Sequence, residues 1–209
     1  MGIVTRKPPI KETVGAQYVC FSEKTEENEW LGTFEESVEK TEVVKSVKVT
    51  ENSENTDVWA SGKVYDSDTS ISKTDIEVQV IAFPADTLAR MRGEVVDAGG
   101  LHLSGGKGER PWFAYGKVVE LRNGKVRFEW YPKCKLASNS DEIATKENNF
   151  SEQPDTITIS AYGFNDNGDI RAYVDSSASN FPEGLTEDKF FAKPILTKAD
   201  LVAAVGTAS

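Results

Sequence analysis

Apolar and polar positions alternate on both sides of Asn123-Gly124 in the stretch 112–136, WFAYGKVVELRNGKVRFEWYPKCKL. Asn-Gly between two such runs predicts a β-hairpin, because a type I′ turn needs positive φ at both central residues and these two supply it cheaply. A two-residue loop then sets a register in which Arg122 faces Lys125, Leu121 faces Val126, Glu120 faces Arg127, Val119 faces Phe128 and Val118 faces Glu129. Val119, Leu121, Val126 and Phe128 share the apolar face. Glu120, Arg127 and Glu129 fall on the opposite, solvent-facing side, where Glu120 and Arg127 form a cross-strand ion pair worth up to ~1 kcal/mol.

The same alternation recurs along the chain. A short apolar strand is expected at 16–21, and residues 43–50 put Val47 and Val49 on one face with Lys48 and Thr50 on the other. Residues 51–56 read as a turn. Strands at 57–65 and 74–83 follow, separated by the polar DSDTS turn at 66–70; in the second, Ile76, Val78 and Val80 alternate with Glu77 and Gln79. A second hairpin is expected over 156–175 around Asn167-Gly168, with Ile159 and Ala161 sharing a face with Ile170, Ala172 and Val174, and Tyr162 opposite Tyr173. Only PADTLARMRG has helical character. Pro84 suits a first turn, Leu88, Met91 and Arg92 have helical spacing, and Gly93 suits a left-handed stop. At about two turns, this helix needs a sheet to lie on.

These elements predict an all-β domain with one short helix, built of half-buried antiparallel sheets. The domain spans 16–180, including an acidic loop at 23–42 and the helix at 84–92, and is flanked by an N-terminal arm at 1–15 and a C-terminal arm at 181–209. The acidic loop holds isolated apolar residues, Trp30, Leu31 and Phe34 among them, and the C-terminal arm holds Phe190, Phe191 and Leu201. Apolar residues in such polar segments are candidates for contacts with another subunit, the acidic loop as a segment that orders on contact and the C-terminal arm as one that packs on the domain or on a neighbour.

Composition narrows the function classes. A chain of 209 residues buries a core without disulfides or metal. Its net charge of −10 argues against a groove that grips phosphates. Cys20 and Cys134 make no disulfide framework and are expected as reduced thiols of a cytosolic product. No apolar run approaches the ~20 residues that span a bilayer, and no signal core is visible, so no membrane partner is expected.

Motifs that would carry chemistry fail at specific positions. The loop GGLHLSGGKGER has Gly106-Lys107 but Leu101 and Gly108 where a phosphate loop needs Gly and Ser or Thr. His102 lacks a second ligand. Asp166-Asn167-Gly168-Asp169 resembles a calcium loop, but Gly163 stands at its first ligand position. The Asn149 sequon means nothing without secretion. No nucleophile elbow or HExxH occurs. No catalytic, cofactor-binding or metal-binding residue is assigned, no cofactor is expected, and the chain is not read as an enzyme.

The order of elements, with FPADTLARMRG after the fourth strand and a glycine-rich linker next, continues into AYGKVVELRNGKVRFEWYPKCKL, ATKENNFSEQPDTITISAYGF and NGD. Over about residues 16–175 this resembles the major tail protein, or tail-tube subunit, of long-tailed siphophages. The resemblance implies a β-sandwich of two packed antiparallel sheets with a flanking helix. It further implies hexameric rings stacked into a tube, the inner sheets joining into a ring-wide β-barrel through which DNA passes to the host. Arms and long loops would bind neighbouring copies, and tape-measure and tail-completion proteins would be partners. The place would be the virion tail, after assembly in the host cytoplasm. Glu120, Arg127 and Glu129 would then face the lumen or solvent, and an acidic wall would let DNA slide without sticking. The rival is a carbohydrate-binding or adhesin-like β-sandwich module, with Trp112, Tyr115, Trp130 and Tyr131 as its ligand platform.

Overall fold

The structure is a computed structural model that describes residues 8–61, 63–97, 99–105, 108–141, 143, 145 and 154–206. Residues 1–7 of the expected N-terminal arm, the Gly106-Lys107 pair and the Asn149 sequon lie outside the described residues. In chain order the elements are β1 (Lys11–Phe21), β2 (Glu39–Thr41), β3 (Val44–Ala60), β4 (Lys63–Val80), α1 (Ala85–Arg92), β5 (Val95–Val96), β6 (His102–Leu103), β7 (Phe113–Leu121), β8 (Lys125–Ser140), β9 (Asp155–Ala161), β10 (Ala172–Asp175), α2 (Glu187–Phe191) and α3 (Lys198–Val205).

Eight strands form one antiparallel sheet in the order β2-β1-β7-β8-β9-β4-β3, with β10 also on β8. The all-β class is therefore as expected, with three short helices where one was expected. Strand β8 organises the sheet. Its first part pairs with β7 on one edge and β10 on the other, and beyond Cys134 that second edge passes to β9. Only Glu42 and Val43 separate β2 from β3, so the ends of the strand order meet and the sheet curls into two layers. Inside lie Val19, Phe21, Ile76, Val78, Tyr115, Tyr131, Leu136, Ile157 and Ile159, closed by Met91 of α1.

Helix α1 forms where proline and glycine place it, with Gly93 at φ 67° accepting the left-handed stop. A Cβ there would come 2.6 Å from the Glu109 carbonyl, so glycine is required sterically as well. Two further helices lie in the C-terminal segment. Their N-caps are Thr186 and Thr197, the latter in a complete capping box with Asp200. They carry Leu185, Phe190, Phe191 and Ile195 onto the back of β1, β7 and β8, against Tyr18, Ala114, Val118, Phe128 and Trp130. These three strands are consequently buried on both faces.

That second burial corrects the first hairpin. The loop has three residues, Arg122, Asn123 and Gly124, and Leu121 faces Lys125, Val119 faces Arg127, Val118 faces Phe128 and Lys117 faces Glu129. Asn123 and Gly124 both have φ of 68°, as the turn chemistry requires, but the register is shifted by one. Once both faces are apolar, alternation no longer selects a register, and the packing of Val118, Phe128 and Trp130 against the tail decides it. The expected Glu120–Arg127 ladder does not form.

The second expected hairpin is also corrected: β9 and β10 do not pair with each other but follow one another along the same edge of β8. Asn165–Gly168 still turns, with the Gly168 N–H donating to the Asn165 carbonyl at 3.0 Å. Nor do 51–56 and 66–70 turn. They are strand, paired across the continuous β3–β4 hairpin whose turn lies at Ser61. A run of polar residues resembles a turn in sequence, while backbone pairing holds it extended. Strand β1 begins at Lys11, five residues before the expected strand.

Candidate assembly surfaces

The charged face expected of β7 and β8 is instead a buried ionic cluster. Glu129 is 2% exposed and Lys117 7% exposed; their ion pair measures 2.8 Å. Arg127 and Arg171 approach the same carboxylate at 3.8 and 3.9 Å, and Arg127 pairs with Asp175 at 2.7 Å. Burial pushes the Lys117 pKa down, and the neighbouring Glu129 works against that shift. Cross-strand neighbours follow from the three-residue loop: it sets Lys117 opposite Glu129 and turns Glu120 to the other face, exposed. Glu120, Arg127 and Glu129 are therefore not brought together on one face.

The candidate contact residues separate in the same way. Phe190 and Phe191 are buried within their own chain; Phe191 stacks on Tyr18 at 3.9 Å and tilts against Trp130 at 5.2 Å. Their place as outward contacts is thus corrected: an FF pair that follows three helical residues after the Thr186 cap is delivered to the nearest apolar sheet face. Leu201 is half-buried against the same cluster, and Phe34 is buried in it. Leu31 is 62% exposed. Trp30 is half-buried, with its ring 5.1 Å from Lys133 Nζ.

Trp112 holds the centre of that second surface. Its Nε1 donates to the Asn28 carbonyl at 2.8 Å, Tyr162 meets its ring edge-on at 5.8 Å, and Lys135 Nζ lies 4.1 Å from its centroid. A bulge between Tyr131 and Cys134 keeps Cys134 in the core while Lys133 and Lys135 face outward. This cluster escaped sequence reading. Its only signal is PKCK, a proline where a strand bulges with lysines two apart. Trp130, Tyr115 and Tyr131 are buried, so the four-aromatic ligand platform does not assemble.

The longest exposed feature is the β3–β4 hairpin. Strand β9 pairs with β4 from Thr74 to Val80, so among the described residues the backbone beyond the Glu51–Thr74 pair is paired across the β3–β4 hairpin alone. From Asn52 to Ala60 this ribbon extends about 30 Å at roughly 3.3 Å per residue. Trp59, near the tip, is 66% exposed.

The His102 ring lies 3.5 Å from Glu94, which also pairs with Arg92 at 3.2 Å. Among the described residues no cluster of three His, Cys, Asp or Glu could hold a metal ion. Both cysteines are free and buried; burial pushes the Cys20 thiol up to about 12 and raises that of Cys134 as well. Among the described residues no helix is long and apolar enough to cross a membrane.

The chain belongs to the phage tail tube proteins: the family model of that description matches residues 32–193. No curated protein matches the chain. The family makes it a structural component of the virion tail.

Proposed function

We propose that this chain is the tail-tube subunit of a long-tailed siphophage. Six copies close into a ring, rings stack into a tube, and DNA passes through the lumen to the host. Tape-measure and tail-completion proteins meet the tube at its inside and end, and assembly takes place in the host cytoplasm. The observation that carries this reading, beside the family, is the β3–β4 ribbon. A two-stranded hairpin is marginal in water by itself, so a ribbon of this length is best accounted for by a neighbouring copy that packs on it.

The proposal keeps an acidic lumen, supported by the net charge of −10. Of the three residues expected there, Glu120 carries it, because Glu129 and Arg127 are engaged in the buried cluster. The N-terminal and C-terminal segments and Leu31 contribute contacts between copies.

Negative-stain microscopy of purified protein under polymerising conditions tests the reading, with rings or tubes as the expected result. A particle that stays small in gel filtration and binds a glycan would overturn it. A cysteine at position 120 should lose reactivity toward bulky maleimides on assembly; unchanged labelling would remove Glu120 from the lumen.

A further inference from the structure

Lys133 and Lys135 stand out in a chain this acidic. Among the described residues neither pairs with a carboxylate. Both ammonium groups lie instead on indole rings: Lys135 Nζ is 4.1 Å from the Trp112 centroid, and Lys133 Nζ is 5.4 Å from Trp112 and 5.1 Å from Trp30. An aromatic face attracts a cation without accepting its three N–H donors as a carboxylate does. The rings are themselves fixed. Trp112 donates to the Asn28 carbonyl, the Asn28 side chain donates to the Arg110 carbonyl at 3.1 Å, and Tyr162 braces the Trp112 ring. Two cations two residues apart on one strand are thus held ready for an anionic partner.

We propose that the Lys133–Lys135 cradle is a carboxylate-binding docking site, and that its occupant is the acidic β3–β4 ribbon of a second copy of this chain. The proposal rests on the tail-tube reading and names the receptor for its ribbon. Charge complementarity selects the occupant. Residues 51–73 carry Glu51, Glu54, Asp57, Asp66 and Asp68 against Lys63 and Lys73 only. Asp66 and Asp68 are two apart in β4, as the lysines are in β8, and a strand advances about 7 Å over two residues. The two pairs are opposite in sign and have the same spacing along their strands. A chain's own ribbon continues its own sheet, with β9 between β4 and β8, and does not fold back onto that sheet. A DNA phosphate has the same sign, but a body of net charge −10 repels a polyanion.

The test compares tube formation, by pelleting and microscopy, in wild type, Lys133→Glu/Lys135→Glu, Asp66→Lys/Asp68→Lys, and the chain carrying all four changes. Thermal melts by circular dichroism establish that each variant folds. Each pair of changes is expected to lower pelleted protein about tenfold or more, as like charges across an interface do, and the four together to restore it. Wild type that forms tubes while the lysine variant forms them equally well overturns the docking site and leaves the tail-tube reading standing. Loss without rescue overturns the ribbon as occupant. Loss of DNA retention in tubes of unchanged yield assigns the lysines to phosphate and overturns the proposal, and wild type that never assembles overturns both readings.

Discussion

Glu129 shows how one side chain ties strands together. Lys117, Arg127 and Arg171 converge on it from β7, from β8 itself and from the β9–β10 connection. Removing one partner of a buried pair leaves the other charged and desolvated, so Glu129→Ala is expected to lower stability by roughly 3–5 kcal/mol, read from the urea midpoint. An apolar Lys117→Met/Glu129→Leu pair should recover part of the loss, since Lys117 is then no longer stranded while Arg171 still loses the Glu129 carboxylate. Other carboxylates govern the response to acid. Burial by itself would raise the pKa of Asp175, but hydrogen bonds from the Ser177 hydroxyl and backbone N–H and from Arg127 outweigh it and hold the group below its ordinary 3.8. Asp75 is depressed in the same sense: burial is overcome by Ser160, Asn52 and Lys73. The unfolded chain therefore takes up protons first as pH falls, and the stabilisation, complete above the ordinary value, is lost through the lower folded values. Tm should stay level from about pH 7 to about pH 5 and fall steeply below about pH 4, with a shallower acid limb in Asp175→Asn.

Among the elements, the C-terminal segment takes the first of its two expected places and packs on its own domain. Phe190 and Phe191 complete a core on the back of β1, β7 and β8, so removal of 181–209 acts on folding before it acts on assembly. Gly116 is the point of closest approach. A Cβ there would lie 2.8 Å from Phe191 and 2.9 Å from Trp130, so Gly116→Ala must push the tail from the sheet. The expected cost is about 1–3 kcal/mol, with raised protease sensitivity after residue 180 as its sign. Glu187 ties the start of α2 to the sheet edge, accepting from the Tyr18 hydroxyl at 2.5 Å and pairing with Lys40 at 3.0 Å. The elements themselves were largely legible: α1 from its proline and glycine, β7 and β8 from alternation around Asn123-Gly124, and β9 from Ile157 and Ile159. The partners of β9 and β10 were not, because an antiparallel edge accepts any strand that buries its apolar side.

For the whole molecule, stability and assembly are expected to separate. Among the described residues of the β3–β4 ribbon beyond Glu51 none belongs to either core, so replacing 53–72 with a short turn should leave Tm within a few degrees of wild type. The same change should abolish tubes under the microscope. A large fall in Tm would instead make the ribbon part of the folding unit. The alternation of Ile76, Val78 and Val80, the turn residues at 93 and 123–124 and the acidic balance are local properties, legible along the chain, and they suffice for an antiparallel β domain, the helix at 85–92 and a net negative charge. Register, the burial of Phe190 and Phe191, the Lys117–Glu129 pair and the lysine cradle on Trp112 were decided only in the tertiary structure. Each depends on residues far apart in the chain meeting across a sheet with both faces covered. A pattern of alternating residues encodes one buried face; it carries no record of a second.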